Sequence, residues 1–540
     1  MFPSLNKKVP FWKLLERRIG RRLTLHKGHI ITVGIIFLVV VFLLWRQLPK
    51  ANNADKALNA NEDKRSEALA EKKAILPNKV QQEQEQKSKS NELKPSKETK
   101  IRDQKQILES MGQVHIFYYP WYGNIETDKE WVHWNHDILP HWSEMENAKY
   151  EIGKEFEPCE DIGSVFYPSL KCYSSRDAQV ITTHAFDHLA NRANVNVLIV
   201  SWHSPLVDQK NMYKKDTITS DNLKKLFEVI SEANANLMKS NHTNTDGLVK
   251  IGIHLEPYDH RTAESTVKDI QYLFDQFGGE AYANTFANLF YVYDSYKMAN
   301  AEWRRMFAQI RNTKYDGIFL GLYLDDTSEK HILESGFDGF YTYFGSQLFT
   351  KGSNFHNWDQ LNAFAYKHNL IFVPSVSPGY DDTRIRPWNA MNTQPRKNGA
   401  YYKDYWNAIF KINALTPHQP IRFVSITSFN EWHEGTQIEP SISYTSTKTK
   451  FTYHDYRNEG GEFAYLQITK DCVAEFYKIF AIMIFIFFWT LIFWQVILTT
   501  DKIKLYVLQL FLFIIDVILT QQLSIKHIFD ISLLKKGCST

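Results

Sequence analysis

Eight short apolar runs, separated by longer segments of helical character, constrain the fold of residues 113–477 more than any other feature of the chain. The runs are rich in β-branched and aromatic residues and comprise Val114–Tyr119, Val195–Trp202, Lys250–Glu256, Leu289–Asp294, Gly317–Asp325, Gly339–Phe344, Leu370–Ser375 and Arg422–Asn430. The helix candidates between and after them are Asp177–Arg192, Ser220–Met238, Ala263–Phe277, Ala301–Arg311, Asn357–His368, Lys403–Asn413 and Gly461–Lys478. Such alternation is typical of parallel βαβ units whose strands are buried on both faces.

Eight such units predict an α/β fold of the (β/α)8 TIM-barrel type with long loops. An open doubly wound sheet is the alternative. The segment that follows the first run, Tyr118–Gly123, lacks the glycine-rich phosphate-binding fingerprint of that alternative. The sequence therefore favours the barrel.

Polar and aromatic side chains concentrate at the carboxyl ends of these runs. In a barrel these ends meet on one face, where such enzymes carry their active sites. Sugar rings present apolar C–H faces, so mixed aromatic and polar stretches suit a carbohydrate cleft, although each ring alone could equally belong to the core. The predicted substrate-binding residues are Tyr119, Trp121, Tyr122, Trp202, His254, Glu256, Tyr258, Tyr293, Asp294, Tyr343, Tyr380, Arg386, Asn430 and Trp432.

Two glutamates, Glu431 and Glu434, lie three residues apart directly after the eighth run. Cleavage of a glycosidic bond commonly uses two carboxyl groups, one that protonates the leaving oxygen and one that attacks or activates a nucleophile. Crowding in a partly apolar site can push the two pKa values apart and create a proton donor and a base. An exposed acidic turn is the alternative, but the preceding buried strand and the flanking aromatic rings favour catalysis.

The sequence contains no pattern that indicates a cofactor, a metal or a nucleic acid. His433 precedes Glu434, but no further histidine follows at the spacing of a zinc motif. The 63 basic and 60 acidic residues leave a net charge of +3, which does not require a nucleic-acid partner. We therefore expect no cofactor, no metal ion and no nucleic-acid partner.

Nine motifs follow one another along residues 113–477, and together they resemble glycoside hydrolase family 99, the Golgi endo-α-1,2-mannosidases. They are Phe117–Gly123, Phe166–Pro168, Tyr173–Asp177, His254–Tyr258, Phe290–Tyr296, Gly336–Gly339, Pro378–Tyr380, Ile385–Asn389 and Ile426–Glu439, of which the last is the most specific. The resemblance implies a (β/α)8 fold and a type II Golgi anchor. The sequence departs from the family pattern at His203, where the family usually carries a tyrosine.

The resemblance also implies a reaction. The family cleaves the internal α-1,2 linkage beside a glucosylated mannose on high-mannose N-glycans of glycoproteins, and it releases glucosyl-mannose with retention of configuration. By motif position, Glu431 deprotonates the substrate 2-hydroxyl, which closes on the anomeric carbon as a 1,2-anhydro sugar. Glu434 protonates the leaving group and later activates water. The residues alone would suggest an ordinary two-carboxylate displacement.

Two other functions remain open at this point. One is a catalytically silent, lectin-like glycoprotein receptor on the same barrel, against which the presence of both glutamates argues. The other is a barrel glycosidase of different linkage specificity, which the aromatic cleft alone would permit.

An uncharged stretch over residues 28–45 predicts a transmembrane signal anchor. Eighteen helical residues span about 27 Å, enough for a thin early-secretory bilayer. Residues 1–27 are strongly basic, so they are expected in the cytoplasm and the rest in the lumen of the Golgi, as a single-pass type II protein. A cleaved signal peptide is the alternative, but no small-x-small cleavage site follows.

Residues 46–112 contain no Phe, Tyr or Trp and are rich in charged and amide side chains, which predicts a disordered luminal stalk. The sequon at Asn241 predicts N-glycosylation. Cys159 and Cys172 could form a disulfide in an oxidising compartment or remain buried thiols. The apolar tail over residues 478–540 is either a second membrane segment or an artefact of coding-sequence assignment.

Overall fold

The computed structural model of the protein describes residues 113–206, 218–240 and 247–478. The predicted cytoplasmic tail, signal anchor, stalk, glycosylation site at Asn241 and nearly all of the apolar tail lie outside the described residues. Within the described part of the chain, no helix combines the length and the apolar character needed to cross a bilayer.

Nine parallel strands form one sheet in the order β7-β6-β5-β4-β3-β2-β1-β9-β8. Their bounds are β1 Val114–Tyr118, β2 Val197–Trp202, β3 Lys250–Leu255, β4 Phe286–Val292, β5 Ile318–Leu322, β6 Gly339–Tyr341, β7 Ile371–Val373, β8 Ser375–Val376 and β9 Val424–Ile426. All eight predicted runs contain strand residues, and the seventh is divided into β7 and β8.

The division of the seventh run at Pro374 is where the barrel closes. Strand β7 pairs with β6 and strand β8 pairs with β9, so the short run bridges both ends of the sheet. Proline has no N–H to donate to a ladder. The Pro374 carbonyl nevertheless accepts a hydrogen bond of 3.0 Å from the amide of Ser425. The nine strands thereby form a nearly closed parallel barrel, which is consistent with the predicted TIM-type fold.

Helices surround the barrel. The α-helices are α1 Ile125–Asp128, α2 Glu144–Asn147, α3 Ala178–Thr182, α4 Ile218–Ser240, α5 Ala263–Phe277, α6 Asn300–Ile310, α7 Thr327–Ser335, α8 Trp358–Lys367, α9 Ala400–Leu415 and α10 over residues 464–478. A π-helix, Thr183–Ala193, continues α3, and short 3-10 helices are Glu280–Tyr282, Ser295–Lys297, Phe355–Asn357, Pro387–Asn392 and Arg457–Glu459. The sequence did not predict α7, which has only nine residues.

Helix α5 shows why the predicted helices form where they do. Thr262 and Ser265 make a reciprocal capping box that satisfies amide groups of the first turn. Ile270, Leu273 and Phe277 recur at helical spacing and are buried against the sheet. The predicted bounds of this helix match those observed.

Aromatic rings fill much of the barrel interior beneath the carboxyl ends of the strands. Phe117 contacts Tyr291 edge to face at 5.3 Å between ring centroids, and Tyr291 contacts Tyr341 at 4.8 Å. The Tyr291 hydroxyl lies 2.6 Å from Nδ1 of His115, so its polar end has a partner despite burial. These packed rings fill the barrel beneath the residues that follow the carboxyl ends of the strands.

A disulfide joins Cys159 and Cys172 in the long connection between β1 and β2. Its 13-residue separation limits the loop that must be ordered on folding. The Tyr167 hydroxyl donates to the Cys159 carbonyl at 2.8 Å, so the bridge packs beside the aromatic part of the connection.

We predict that replacing both Cys159 and Cys172 by serine lowers the free energy of unfolding by about 3 kcal/mol, because the unfolded chain regains the entropy of an open loop. Thermal unfolding of the two chains measures the difference. Cys472→Ser is the matched control, since Cys472 is a free thiol. A double variant as stable as the unmodified chain would show that the bridge contributes nothing.

Candidate active site

The glutamate pair lies on the segment after β9, over residues 427–439, in which the structure has neither a helix nor a strand. Asn430 fixes this segment to the end of β1. Its Oδ1 accepts from the Tyr119 amide at 2.8 Å, and its Nδ2 donates to the Tyr119 carbonyl at 2.9 Å. The Tyr122 hydroxyl donates to the Asn430 carbonyl at 2.9 Å. Asn430 is fully buried, so its amide positions the backbone of the segment that carries both glutamates.

A second clamp holds the other end of the segment. Glu439 is fully buried, and its Oε2 accepts from Nε1 of Trp432 at 2.9 Å and from the Tyr173 hydroxyl at 2.8 Å. Nε2 of His184 lies 3.2 Å from the other carboxylate oxygen. One oxygen of this buried carboxylate thus accepts two hydrogen bonds, which offset part of the cost of burying it.

Glu431 is 4% exposed and lies at the deep side of the pair. Its own amide donates to the Ser428 hydroxyl at 2.9 Å, and its Oε1 accepts from the His433 amide at 3.2 Å. Nδ1 of His433 lies 3.7 Å from the same oxygen. The His136 ring lies 4.7 Å from the His433 ring, so imidazoles cover this side of the carboxylate.

Glu434 is the more accessible member, with 24% of its side chain exposed. Nη1 of Arg386 lies 3.8 Å from Oε1 of Glu434 and 3.1 Å from Oδ2 of Asp382. Asp382 is fully buried and also accepts from the Tyr380 hydroxyl at 2.7 Å and from Asn389. Arg386 therefore serves two carboxylates and only partly neutralises Glu434.

Burial raises the pKa of both glutamates. For Glu431 the next cause is repulsion from Glu434, which Arg386 and the His433 amide offset only in part. Burial, opposed by Arg386 and reinforced by Asp382 and Glu256, raises the pKa of Glu434 to about 7. Because the two carboxylates repel each other, the pair holds a shared proton more readily than two isolated glutamates do.

The histidines beside Glu431 do not supply a compensating positive charge. Burial and the neighbouring His136 lower the pKa of His433 well below its usual range. Burial and His133 lower the pKa of His136 to about 4. Near neutral pH both imidazoles are uncharged and act as polar packing around the carboxyl group.

A third acid, Glu256, follows β3. Its Oε1 accepts from the Ser201 hydroxyl at 2.8 Å and lies 3.3 Å from Nδ1 of His254. Burial would raise the pKa of Glu256, but His254, His203 and Ser201 outweigh it and lower the pKa to about 2. Glu256 is therefore a fixed anion, unlike the pair on the catalytic segment.

Tyrosines form the walls near these acids. The hydroxyls of Tyr119 and Tyr343 are hydrogen-bonded to each other, and the Tyr293 ring lies 5.1 Å from the Tyr343 ring. Burial, Glu434 and other acids raise the pKa of Tyr293 well above its usual range, so this hydroxyl stays protonated. Trp121 is half-buried and stacks on His133 at 4.5 Å. The structure thus brings the predicted residues from β1, β3, β4 and β6 to one end of the barrel.

Four of the predicted binding residues also support the site from within. Trp202 and Trp432 are 1% and 0% exposed, and their indole N–H groups donate to Ser220 and Glu439. Tyr122 and Asn430 are equally buried and bond to the backbone. These bonds position the surrounding backbone, and the binding role of the four residues stays a prediction.

Tyr258 and Asp294 belong to a neighbouring cavity of about 340 Å³ that contains neither glutamate of the pair. The Tyr258 hydroxyl donates to Asp269 at 2.6 Å, and Oδ2 of Asp294 accepts from Lys297 at 2.6 Å. Both side chains are therefore engaged within the protein, and their role in binding stays a prediction.

Three important side chains were missed in the sequence, namely Asp382, Glu439 and His136. Glu439 lies within a motif and Asp382 lies between two motifs. Nothing in the residues around them distinguishes a buried acidic side chain from an exposed one. His136 lies in a loop with no regular pattern. In the described residues no group of three or more His, Cys, Asp or Glu side chains is arranged to hold a metal ion.

The site thus has a coupled pair of carboxyl groups with raised pKa values, at the carboxyl end of a parallel barrel, beside a third fixed anion and a wall of tyrosines. This arrangement defines the class of barrel glycosidases, in which one carboxyl group donates a proton and another acts as a base.

Known proteins place the chain within that class. Residues 110–478 match the family described as Glycosyl hydrolase family 99. A Rattus norvegicus protein named glycoprotein endo-alpha-1,2-mannosidase is 38% identical over 377 residues, which cover 68% of this chain and 75% of that protein. A Homo sapiens protein named glycoprotein endo-alpha-1,2-mannosidase-like protein is 37% identical over 385 residues, which cover 69% of this chain and 78% of that protein.

The solved structure of the GH99 endo-alpha-mannosidase from Bacteroides thetaiotaomicron is 34% identical, with a TM-score of 0.56, and covers 68% of this chain and 98% of that one. The chain belongs to glycosyl hydrolase family 99, and it is a glycosidase.

We predict that Glu431→Gln stabilises the protein increasingly as pH rises. The pKa of each glutamate is higher in the folded chain than its ordinary value of 4.5, so folding takes up protons above that pH. Stability of the unmodified chain therefore falls as the pH rises above about 4.5. Glutamine cannot ionise, so the variant avoids the loss of stability that ionisation of Glu431 causes. We expect the melting temperature of the variant to be about 2–4 °C higher than that of the unmodified chain at pH 8, with little difference at pH 4.5.

Thermal unfolding at both pH values measures this difference. Glu232→Gln is the matched control, because Glu232 is exposed on α4, and it should shift the melting temperature equally little at both values. A Glu431→Gln chain whose stability follows the same pH dependence as the unmodified chain would contradict the prediction.

Proposed function

We propose that this glycosidase is an endo-acting, retaining α-1,2-mannosidase that trims glucosylated high-mannose N-glycans on glycoproteins and releases glucosyl-mannose. The names of the rat protein and of the Bacteroides structure support action on an internal mannose linkage. The intact Glu431 and Glu434 support catalysis by this chain in particular.

One observation carries the proposal: the two carboxyl groups of the coupled pair differ in their access to solvent, Glu431 being 4% exposed and 24% of the Glu434 side chain being exposed. Glu434 reaches the solvent side, where a leaving group departs and water enters, and Arg386 lies 3.8 Å from it. Glu431 is held deeper by the His433 amide. An acid/base must exchange its proton with leaving group and water, which suits Glu434. A base towards a hydroxyl of the bound sugar needs no solvent contact, which suits Glu431.

The reaction would proceed in two steps. Glu431 accepts the proton of the sugar 2-hydroxyl as that oxygen bonds to the anomeric carbon, while the bond to the leaving sugar breaks and Glu434 protonates its oxygen. In the second step Glu434 accepts a proton from water as the water oxygen attacks the anomeric carbon. The 1,2-anhydro ring opens, and Glu431 returns the proton to the 2-oxygen. Two inversions at the anomeric carbon give retention.

A silent lectin-like receptor is the second candidate. A binder would gain nothing from two buried carboxyl groups that repel each other, because such a pair lowers stability. A barrel glycosidase of different linkage specificity shares the same pair, so the released sugar must decide between the two enzymes.

We predict that the purified full-length chain releases a glucosyl-mannose disaccharide from Glc1Man9GlcNAc2, and that Glu434→Gln reduces this turnover at least about 1,000-fold. Glutamine has nearly the same shape but neither donates the proton nor accepts it from water. Chromatography of the released sugars measures turnover, and calorimetry of the variant measures glycan affinity, which should stay within about threefold.

Glu264→Gln is the matched control, since Glu264 is an exposed residue on α5 paired with Arg305, and its turnover should equal that of the unmodified chain. Binding without any release by the unmodified chain would favour the lectin-like receptor. Release of a different sugar would favour another linkage specificity.

We also propose that residues 28–45 anchor the protein in the Golgi membrane with the barrel in the lumen, as their uncharged composition and the basic residues before them suggest. We predict that the barrel in intact microsomes resists added protease while a tag ahead of residue 1 is digested. Detergent is the control, because it should expose the barrel to digestion. A barrel digested without detergent would contradict this topology. A tag after residue 540 would report the side on which the apolar tail ends.

A further inference from the structure

Two tryptophans on neighbouring loops form an exposed aromatic corner beside the site. Trp142 is 86% exposed, and its ring lies 5.7 Å from the ring of Trp388 at an angle of 76°. Met391, on the same 3-10 helix as Trp388, is 92% exposed. Exposed apolar groups of this size that cluster together usually mark an interaction surface.

The loop that presents Trp142 is fixed. The side chain of Asn147 accepts from the His141 amide at 2.7 Å and donates to the His141 carbonyl at 3.0 Å. Nε1 of Trp388 donates to the Leu139 carbonyl at 3.0 Å, and the Leu139 amide donates to Ile385 at 2.8 Å. Because the loop backbone and the Trp388 ring are held in this way, a flat partner can bind at the corner with little ordering of the loops.

Each of the two loops that carry the corner also carries a residue beside the glutamate pair or its histidines. Arg386, which faces Glu434, lies two residues before Trp388. Two residues span at most about 7 Å, which is close to the length of one sugar unit. His136, which contacts His433, begins the loop that carries Trp142. A chain of sugars with its cleaved bond at the pair would therefore reach the corner within a few units.

The charges around the corner distinguish a glycan from an anionic membrane surface. Met145 is 79% exposed between Glu144 and Glu146 on α2, directly after Trp142. Carboxylates repel anionic lipid headgroups. A neutral oligosaccharide meets no such repulsion, and its C–H faces can pack on an indole ring.

We propose that Trp142 and Trp388 form a distal sugar-binding subsite, which holds pyranose rings of the same oligosaccharide whose linkage is cleaved between Glu431 and Glu434. The proposal rests on the proposed function and extends it to glycan units remote from the cleaved bond. Since the two rings are nearly perpendicular, one sugar packs on the open face of Trp142 while the edge of Trp388 bounds it. The subsite gives the enzyme a preference for large glycans over short fragments.

The test compares two substrates with the full-length chain, Glc1Man9GlcNAc2 and the trisaccharide glucosyl-mannosyl-mannose. We expect Trp142→Ala to raise KM for the large glycan about tenfold with kcat nearly unchanged, because remote uniform binding is lost. The same variant should leave both constants for the trisaccharide within about twofold of the unmodified chain. Trp142→Phe, which keeps an aromatic face, should restore most of the affinity.

Tyr366→Ala is the matched control, since Tyr366 is a 60% exposed aromatic residue near the carboxyl end of α8, away from the catalytic end of the barrel. Equal effects of Trp142→Ala on both substrates, or no effect on either, would overturn the subsite. Loss of self-association or of binding to phosphatidylserine vesicles, with KM unchanged, would overturn it in favour of a second copy or a membrane. If the unmodified chain cleaves neither substrate, the proposed function fails. In that case the affinity for the large glycan tests the subsite separately, and equal affinity of the unmodified chain and the Trp142→Ala chain would overturn it.

Discussion

The paired hydrogen bonds between Asn430 and Tyr119 are the constraint on which the geometry of the glutamate pair depends. The segment that carries both glutamates contains no helix or strand, and just before the pair the Phe429 amide donates to the Phe117 carbonyl at 2.8 Å. Asn430 extends this attachment to the end of β1, because its side-chain amide pairs with both backbone polar groups of Tyr119. The buried Glu439 holds the far end through Trp432. Rigid positioning of this kind is what keeps two acids in register with a substrate.

That rigidity lets the protein hold two like charges close together. The uncharged histidines around Glu431 do not relieve the repulsion, and Arg386 relieves it only partly because Asp382 competes for the same guanidinium group. Asp382 thus limits the neutralisation of Glu434 and helps it to keep a proton near neutral pH. Glu256 lies at the same end of the barrel, but its pKa is lowered because His254, His203 and Ser201 stabilise the carboxylate. Local donors, rather than distance from solvent alone, separate the acid from the fixed anion.

The barrel and the glutamate pair could be predicted from the sequence because both rest on local patterns: apolar runs of strand length, helical periodicity, and a motif directly after a strand. The closing of the barrel at Pro374 could be read only once the pairing of β7 and β8 was known. Helix α7 was missed because nine residues give little periodicity. Asp382 and Glu439 could not be found, since burial of a charge depends on partners that are distant in sequence.

The aromatic residues show where such prediction reaches its limit. Trp202, Trp432 and Trp142 all stand beside polar residues in the sequence, and that neighbourhood alone suggests contact with sugar for each of them. The first two are buried because their indole N–H groups find acceptors inside the protein. Trp142 is exposed because its loop is tied back through Asn147 and leaves the ring nothing to pack under. Burial or exposure of these three rings therefore depends on contacts made by the folded chain, which the residues next to each tryptophan in the sequence do not specify.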